Sequence, residues 1–530
     1  MRAIDLYSGI GGWSLGLTLS GIDVVESYEW WKPAAETHER NLGLSTNIVD
    51  IRELPLTDLP ENIDVVVGSP PCTQFSFANR GGSGDIQDGL KDIVKFLEVV
   101  EFLKPKFWAM ENIPRVATII ERELQEDGSL IRFEKLFKNA SIDIYDISEY
   151  GLPQRRKRCI VGNFNRDILV RYKSNLDTVS LGDVISSLAR KRINDINYDI
   201  SLLSNNVSGL NNEIDLSDEE TRINKSAKTY HPLYNDMPFP DELKIPSRTI
   251  TATCTRVSRE SVIVKSESKV GFRRLNIRER STIQGFPINY EFFGGSYSGN
   301  LKMIGNAIPP TFTYLIAESM KATSVEDLES TKNKSFLWSN NSITPDYKID
   351  TVGYKYTANR SFKFAIPGLR FKSGTRFELN NSSGKGLWKI EFYYGDSKNI
   401  KTIPLNDELL LFIKSNIEQN LLDWIENILS LFNETISSID HQKMQDTWCR
   451  KITTHHPFEV LDLIGNTIQN ILKRGNDFEV EVFEELIDKI LNQFVIVNPN
   501  LGKNKLMNNV RNVILGLLMG IHFNLLGNNN

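Results

Sequence analysis

The chain has 530 residues, more than one hydrophobic core normally serves, so two or three domains are expected. Apolar content of 40% and charged content of 24% are those of an ordinary globular protein, and four cysteines without paired or metal-type spacing exclude a disulfide framework and structural zinc. A net charge of −5 excludes a general polyanion binder, so contact with nucleic acid has to come from a local basic patch.

From the start, residues 1–165 alternate short β-branched runs with helical patterns. AIDLYS, DVVESYEW, IDVVVGS, FWAMEN, IDIYDIS and CIVGNF read as strands, and IVKFLEVVEFL (93–103) has helical apolar spacing. This alternation predicts an α/β domain whose doubly wound sheet carries helices on both faces. MRAIDLYSGIGG lacks the basic-then-apolar pattern of a secretion signal. Between about 170 and 245 the texture changes, and SLLSNNVSGLNNEIDLSDEETRINKS reads as irregular surface structure. A denser region from Ser247 ends in GNAIPPTFTYLIAESMKAT, read as a turn and a closing helix, and residues 324–345 read as a linker. Beyond it, FKFAIPGLRFKSGTRFEL and GLWKIEFYYG alternate like a strand meander, and after about residue 406 the pattern turns helical. The late apolar run 513–526 is too short, and too interrupted by Gly516, Gly520, His522 and Asn524, to span a bilayer. It reads as a buried terminal helix of a cytoplasmic protein without membrane contact.

Three features carry chemistry. DLYSGIGG (5–12) follows a strand and precedes a helix, so its glycines let the backbone approach a ligand at a strand's carboxyl end. It differs from G-x-G-x-x-G, and a nicotinamide cofactor is not implied. The next strand ends in Glu29-Trp30, an acidic residue suited to a ribose hydroxyl pair and an aromatic suited to stack on adenine. In GSPPCTQFS (68–76) two prolines brace Cys72 after an apolar strand, presenting a strongly nucleophilic thiol at the sheet's carboxyl edge.

DLYSGIGG, GSPPCTQFS, MENI (110–113), QRRKR (154–158), RTITATCTR (248–256), RRLNIRERSTIQGFP and GNAIPP (305–310) occur in the order found in the DNA cytosine-5 methyltransferases, of the bacterial restriction-modification type. The resemblance covers residues 1 to about 323. It implies an S-adenosylmethionine-dependent methyltransferase fold with a mixed sheet. Residues 1–165 would form the catalytic and cofactor-binding domain, 166–280 a small target-recognition region and 281–323 a return to the catalytic domain. After the 324–345 linker, residues 346–530 form a C-terminal domain without assignment, strands to about 405 and then helices.

The resemblance also assigns roles. Cys72 would attack carbon 6 of a cytosine extruded from duplex DNA, and Glu111 would hold the pyrimidine's N3 edge. Arg158 would contact the base, with Arg156 buttressing the site or meeting a phosphate. S-adenosylmethionine would be held by Tyr7, Ser8, Gly9, Gly12, Glu29, Trp30, Asp50, Ile51, Leu90 and Asn306. The segment ANRGGSGD (78–85) is placed to close over an extruded base. Residues 245–282 hold nine basic groups against three acidic ones, and Arg248, Thr251, Arg256 and Arg259 would contact DNA, with Arg256 and Arg259 reading guanine or meeting phosphates. The implied partner is double-stranded DNA near the nucleoid, in a restriction-modification or phage-defence system. Two alternatives stay open. The same chemistry could carry a C-terminal nuclease or a module that recruits a protein partner, or the substrate could be RNA, although the Cys-Phe-Thr signature of the RNA branch is absent. No metal site is read: His455-His456 reads as a capped turn before Pro457.

Overall fold

The computed structural model describes residues 1–76, 84–229, 237–266, 271–334, 359–371, 374–395, 399–450, 455–474, 480–495 and 503–528. Two units are apparent, one holding residues of Met1–Lys228 and Met237–Thr351, the other those of Val352–Asn530.

In the first unit β1 (Arg2–Leu6), β2 (Asp23–Glu29), β3 (Thr46–Ile48), β4 (Val65–Gly68), β5 (Phe107–Asn112), β6 (Ser141–Asp146) and β8 (Lys157–Gly162) make one sheet. Its order is β3-β2-β1-β4-β5-β8-β6. β1 to β5 run parallel, and β8 is antiparallel to both β5 and β6. The sheet is therefore mixed, as expected. β4 shows why it sits in the middle: VVVG is buried at all four positions, the continuous apolar run of a strand covered on both faces. Successive side chains divide between two cores. Val65, Val67, Ala109 and Ile160 join Trp13 and Leu15 of α1 (Gly12–Leu19) on one face. Val66, Met110, Cys159 and Val161 join Ile93 and Phe96 of α3 (Ile86–Leu103) on the other. α2 (Lys32–Leu42) follows β2, and α4 (Arg115–Glu123) follows β5. The helix expected over 93–103 begins earlier because the Asp85 side chain caps it, accepting from Asp88 N–H.

This arrangement lines up the carboxyl ends of β1, β2, β4 and β5 on one edge. Because β8 returns antiparallel, its beginning lies there too, with Cys159 opposite Asn112 and Ile160 opposite Glu111. The two-residue β7 (Gln154–Arg155) pairs in parallel with Ser247–Arg248, tying the segment before β8 to the stretch 166–280.

That region departs from the expectation of irregular structure. Residues 192–194 pair with 201–203 and 263–265 with 272–274, and Asp218–Thr229 is a helix. Its buried residues are Glu220, Asn224 and Lys228, so the hydrophobic pattern that reveals an ordinary surface helix is missing. A capping box opens it: Glu220 N–H donates to Ser217 Oγ and Ser217 N–H to Glu220 Oε2.

The second unit is β then α, as expected. Strands Lys363–Phe371, Thr375–Asn380, Lys389–Gly395 and Ile400–Ile403 form an antiparallel meander, and helices follow from Asp407. The terminal helix, Val510–Asn528, is longer than the apolar run suggested. By length and composition it could cross a membrane, yet most of it is buried. Gly516 abuts Phe377 and Leu369, and Asn524 Nδ2 donates to Ile390 and Leu405 carbonyls, so it serves as the core helix under the meander. His456 caps the helix Pro457–Lys473, its Nδ1 accepting from Phe458 N–H.

Candidate active site

Cys72 stands on the turn that leaves β4. Its carbonyl accepts from Phe75 N–H at 3.0 Å, and Phe75 is fully buried, anchoring the turn in the core. Three side chains grip it. Asn112 Nδ2 donates to Pro70 O at 3.0 Å, Arg115 Nη1 to Phe75 O at 3.0 Å, and Gln74 Oε1 accepts from Asp85 N–H at 3.0 Å. Asn112 and Arg115 escaped the motif reading, though both flank Glu111 within MENIPR. The loop expected to close over a base lies outside the described residues from 78 to 83; Gly84 and Asp85 begin the described chain again.

Glu111 is the penultimate residue of β5 and faces Ile160, and Arg158, two residues before Ile160 on β8, lies on the same face as its diagonal neighbour. Arg158 Nε donates to Glu111 Oε1 at 2.7 Å, with side chains 13% and 7% exposed. Burial pushes the Cys72 thiol above its usual range, Glu111 adds to that, and Arg158 and Arg156 oppose it. Cys72, Glu111 and Arg158 thus form one electrostatic cluster at the sheet's carboxyl edge. Cys159 differs: it is wholly buried, and burial pushes its thiol up to about 12.

Arg156 has a different place from Arg158. It is 1% exposed, and its guanidinium donates to Ile250, Gly305 and Ala307 carbonyls at 3.0–3.1 Å. It joins the segment after β7 to the stretch before Thr251 and to the end of the helix Tyr297–Asn306. Gln284, another residue the motifs did not single out, bonds Gln154, Ile304 O and Ala307 O in the same layer.

The loop after β1 makes a cradle. Gly9 has φ +54°, and a Cβ there would meet nothing within 4 Å among the described residues, which leave open space above it. A Cβ on Gly12 would lie 2.2 Å from Ile308 O, which packs GNAIPP against this loop. Glu29 braces the cradle: Oε2 accepts from Gly9 N–H at 2.9 Å and Oε1 from Trp31 N–H at 2.8 Å. Burial pushes its carboxyl up while these N–H groups pull it down. A carboxylate has about four acceptor positions, so acceptor capacity remains beyond these backbone N–H groups and that of Trp30. Trp30 is 66% exposed, an aromatic face beside that carboxylate. Ser8 N–H donates to Tyr28 O, and its Oγ meets His38 Nδ1 at 3.3 Å. Tyr7, Ile51 and Leu90 share the apolar cluster beneath. The Tyr7 hydroxyl bonds Asp92, which Arg52 grips along with Asp88, fastening α3 to the segment after exposed Asp50. Asn306 is exposed at the end of its helix. An open cradle, an acceptor pair and an aromatic platform fit a nucleoside-bearing cofactor.

The basic stretch at 245–282 changes character in the structure. Arg256, Arg274, Arg278 and Arg280 are at most 2% exposed. Arg256 pairs with Glu220 at 2.7 Å and Glu213 at 3.4 Å, Arg274 with Glu213 at 2.8 Å, and Arg278 with Glu291 at 3.2 Å. Arg248 forks onto Asp241, with Nε to Oδ1 at 2.6 Å and Nη2 to Oδ2 at 3.0 Å. The local excess of positive charge is therefore largely neutralised by carboxylates from outside the window. Arg256, which was expected to contact DNA, is buried and engaged by internal ion pairs, as a buried guanidinium requires, and Arg248, its side chain 20% exposed, is paired with Asp241. Thr251, its hydroxyl donating to Thr253 O at 3.0 Å, and Arg259 are partly exposed. Lys269 lies outside the described residues.

Residues 1–322 match the family of C-5 cytosine-specific DNA methylases. The type II methyltransferase M.FnuDI of Fusobacterium nucleatum is 27% identical over 349 residues, a match spanning 63% of this chain and 98% of that protein. The type II methyltransferase M.MthTI of Methanothermobacter thermautotrophicus is 26% identical over 343 residues, spanning 63% and 99%. The C-terminal unit lies beyond the family match. With the family match covering well over half of its length, the chain belongs to the C-5 cytosine-specific DNA methylases and is a DNA cytosine-5 methyltransferase.

Proposed function

We propose that this enzyme methylates carbon 5 of a cytosine extruded from a short specific sequence of duplex DNA, through a covalent bond between Cys72 and carbon 6. The reading is supported above all by the convergence of Cys72, Glu111 and Arg158 on one sheet edge. The protein would serve a cytoplasmic restriction-modification or phage-defence system, in keeping with its type II relatives.

The Cys72 thiol rests protonated because burial and Glu111 disfavour its anion. As the sulfur bonds to carbon 6 its proton passes through water to the ring's N3, and the electron pair of the carbon 5–carbon 6 double bond moves onto carbon 5. Glu111 holds the N3 edge, where the ring takes up a proton, and Arg158 keeps the Glu111 carboxylate oriented. S-adenosylmethionine, which the family uses, supplies an electrophilic methyl group for carbon 5 when bound. Gly9, Gly12 and Ser8 would shape its cradle, Glu29 would take the ribose hydroxyls, Trp30 would stack on the adenine with Asp50 and Ile51 nearby, and Leu90, Tyr7 and Asn306 would complete the site. A base then removes the carbon-5 proton, and the sulfur–carbon bond breaks to return the Cys72 thiolate. Thr251 and Arg259 lie on the segment that faces DNA in this reading.

The test uses the full chain with labelled S-adenosylmethionine and mixed-sequence duplex DNA, with bisulfite mapping of the product. Methyl-5-cytosine in one short motif, lost in Cys72→Ser, is expected. Transfer to RNA but not to duplex DNA would overturn the reading.

A further inference from the structure

We propose that the buried row Glu220, Asn224 and Lys228 is a positioning device that fixes the loop over residues 253–261, and thereby sets how strictly the enzyme chooses its DNA sequence. The inference rests on the recognition role given above to that loop.

Residues four apart share one face of a helix, and this face of Asp218–Thr229 is the one turned inward. Glu220, Asn224 and Lys228 are 6%, 0% and 0% exposed. Each position uses its polar atoms. The Asn224 amide donates from Nδ2 to Glu220 O at 2.9 Å and to Arg256 O at 2.6 Å, and its Oδ1 accepts from Lys228 Nζ at 2.8 Å. Both oxygens of Glu220 receive the Arg256 guanidinium, at 2.7 and 2.8 Å. Arg256 is thus held by its carbonyl and by its side chain, and it forms the inner wall of the loop.

The rest of the loop is closed on itself and moored at its far end. Ser261 Oγ donates to Thr255 O, Thr255 N–H donates to Ser258 Oγ, and Arg248 Nη2 donates to Ser261 O. Below it, Glu213 joins Arg256 to Arg274 and accepts from the Tyr297 hydroxyl.

Packing does not call for this face to be polar. Leucine at 224 and methionine at 228 would bury apolar surface without the cost of desolvating an amine, and burial pulls the Lys228 ammonium down to about 7. What the polar row supplies is a loop with one conformation. A loop held in place cannot refit itself to a wrong base pair, whereas a loose one lowers the penalty of a mismatch by adapting.

The test uses full-length wild type, Asn224→Leu and Lys228→Met on plasmid DNA, with bisulfite sequencing of every cytosine. Cofactor binding and thermal midpoint are read alongside. Both variants are expected to fold and to bind S-adenosylmethionine as wild type does, Asn224→Leu with a lower thermal midpoint because Lys228 Nζ and Arg256 O lose this partner. The ratio of methylation at the preferred sequence to that at single-mismatch sequences is expected to fall about tenfold, the scale of one lost hydrogen bond. Loss of stability alone would lower methylation at all sites in proportion and leave that ratio unmoved. An unchanged ratio in either folded variant, or unfolding of both, overturns the proposal. If wild type itself fails to methylate DNA, the failure lies with the functional reading above and not with the loop.

Discussion

Arg158 donates to Glu111 over 2.7 Å, and the thiol of Cys72 lies in the field of both. The two partners act on that thiol with opposite sign: the carboxylate raises it and the guanidinium lowers it. The pair therefore does more than hold a base. On top of burial, which raises the thiol most, the pair adds two opposed influences on its ionisation.

Glu111→Gln separates these roles. Removing the negative charge lowers the Cys72 thiol toward its ordinary range, so a larger fraction is thiolate at neutral pH. Alkylation of Cys72 by iodoacetamide, followed by mass spectrometry of its peptide, is expected to be faster in the variant. Methyl transfer is expected to fall by about a hundredfold or more, since the N3 edge loses its partner. In wild type the alkylation rate rises with pH through the alkaline range, because the thiol is raised. Slower alkylation in the variant would show that Glu111 does not oppose the thiolate.

Arg115→Met removes the hydrogen bond to Phe75 O while leaving an apolar stem in place. Loss of one grip on the nucleophile's turn is expected to lower kcat roughly tenfold, with KM for S-adenosylmethionine unchanged. A change confined to cofactor KM would contradict the positioning role.

Trp30 is two-thirds exposed, so Trp30→Ala is expected to leave unfolding stability within about 0.5 kcal/mol of wild type. Cofactor affinity, measured by calorimetry, is expected to drop about three- to tenfold through lost stacking. An unchanged affinity would take Trp30 out of the cofactor site.

Asp5, wholly buried beneath the cradle, has its carboxyl raised from 3.8 to about 7 by burial. Its Oδ2 accepts from Ser14 N–H and Oγ, and its Oδ1 has no partner among the described residues. The folded state binds this proton more tightly than the unfolded chain, so the group's contribution falls as pH rises from about 4 through 7, by about 1.4 kcal/mol per unit. His38, held down to about 3 by burial, has the opposite slope over nearly the same window, so the two offset each other in wild type. Asp5→Asn is expected to gain stability relative to wild type between pH 5 and 7.5, by roughly 2–3 kcal/mol in urea unfolding. Parallel stability profiles would contradict the assignment.

The placement of the candidate site was legible because its residues lie at or just beyond strand ends: Gly9, Glu29, Cys72, Glu111 and Arg158 all fall where alternating strands and helices put them. The recognition region was not. Arg256 looked like a DNA contact because its counter-charges, Glu220 and Glu213, lie 36 and 43 residues earlier, in a segment read as loop. The helix carrying Glu220 escaped because it buries a polar face, so no apolar period marks it. Its capping box, Ser217 with Glu220, was the readable trace. Asn112 and Arg115 were missed because they act through backbone carbonyls, which no side-chain motif displays.

The central claim is a covalent bond from Cys72 to the target base. The direct measurement is intact mass of the enzyme after incubation with S-adenosylmethionine and a mixed-sequence duplex carrying 5-fluorocytosine, in which carbon 5 has no removable proton and the adduct cannot resolve. A protein–DNA species joined through Cys72, absent in Cys72→Ser, is the expected result. Methylation of ordinary duplex DNA by Cys72→Ser at the wild-type rate, with no adduct from either protein, would contradict the account.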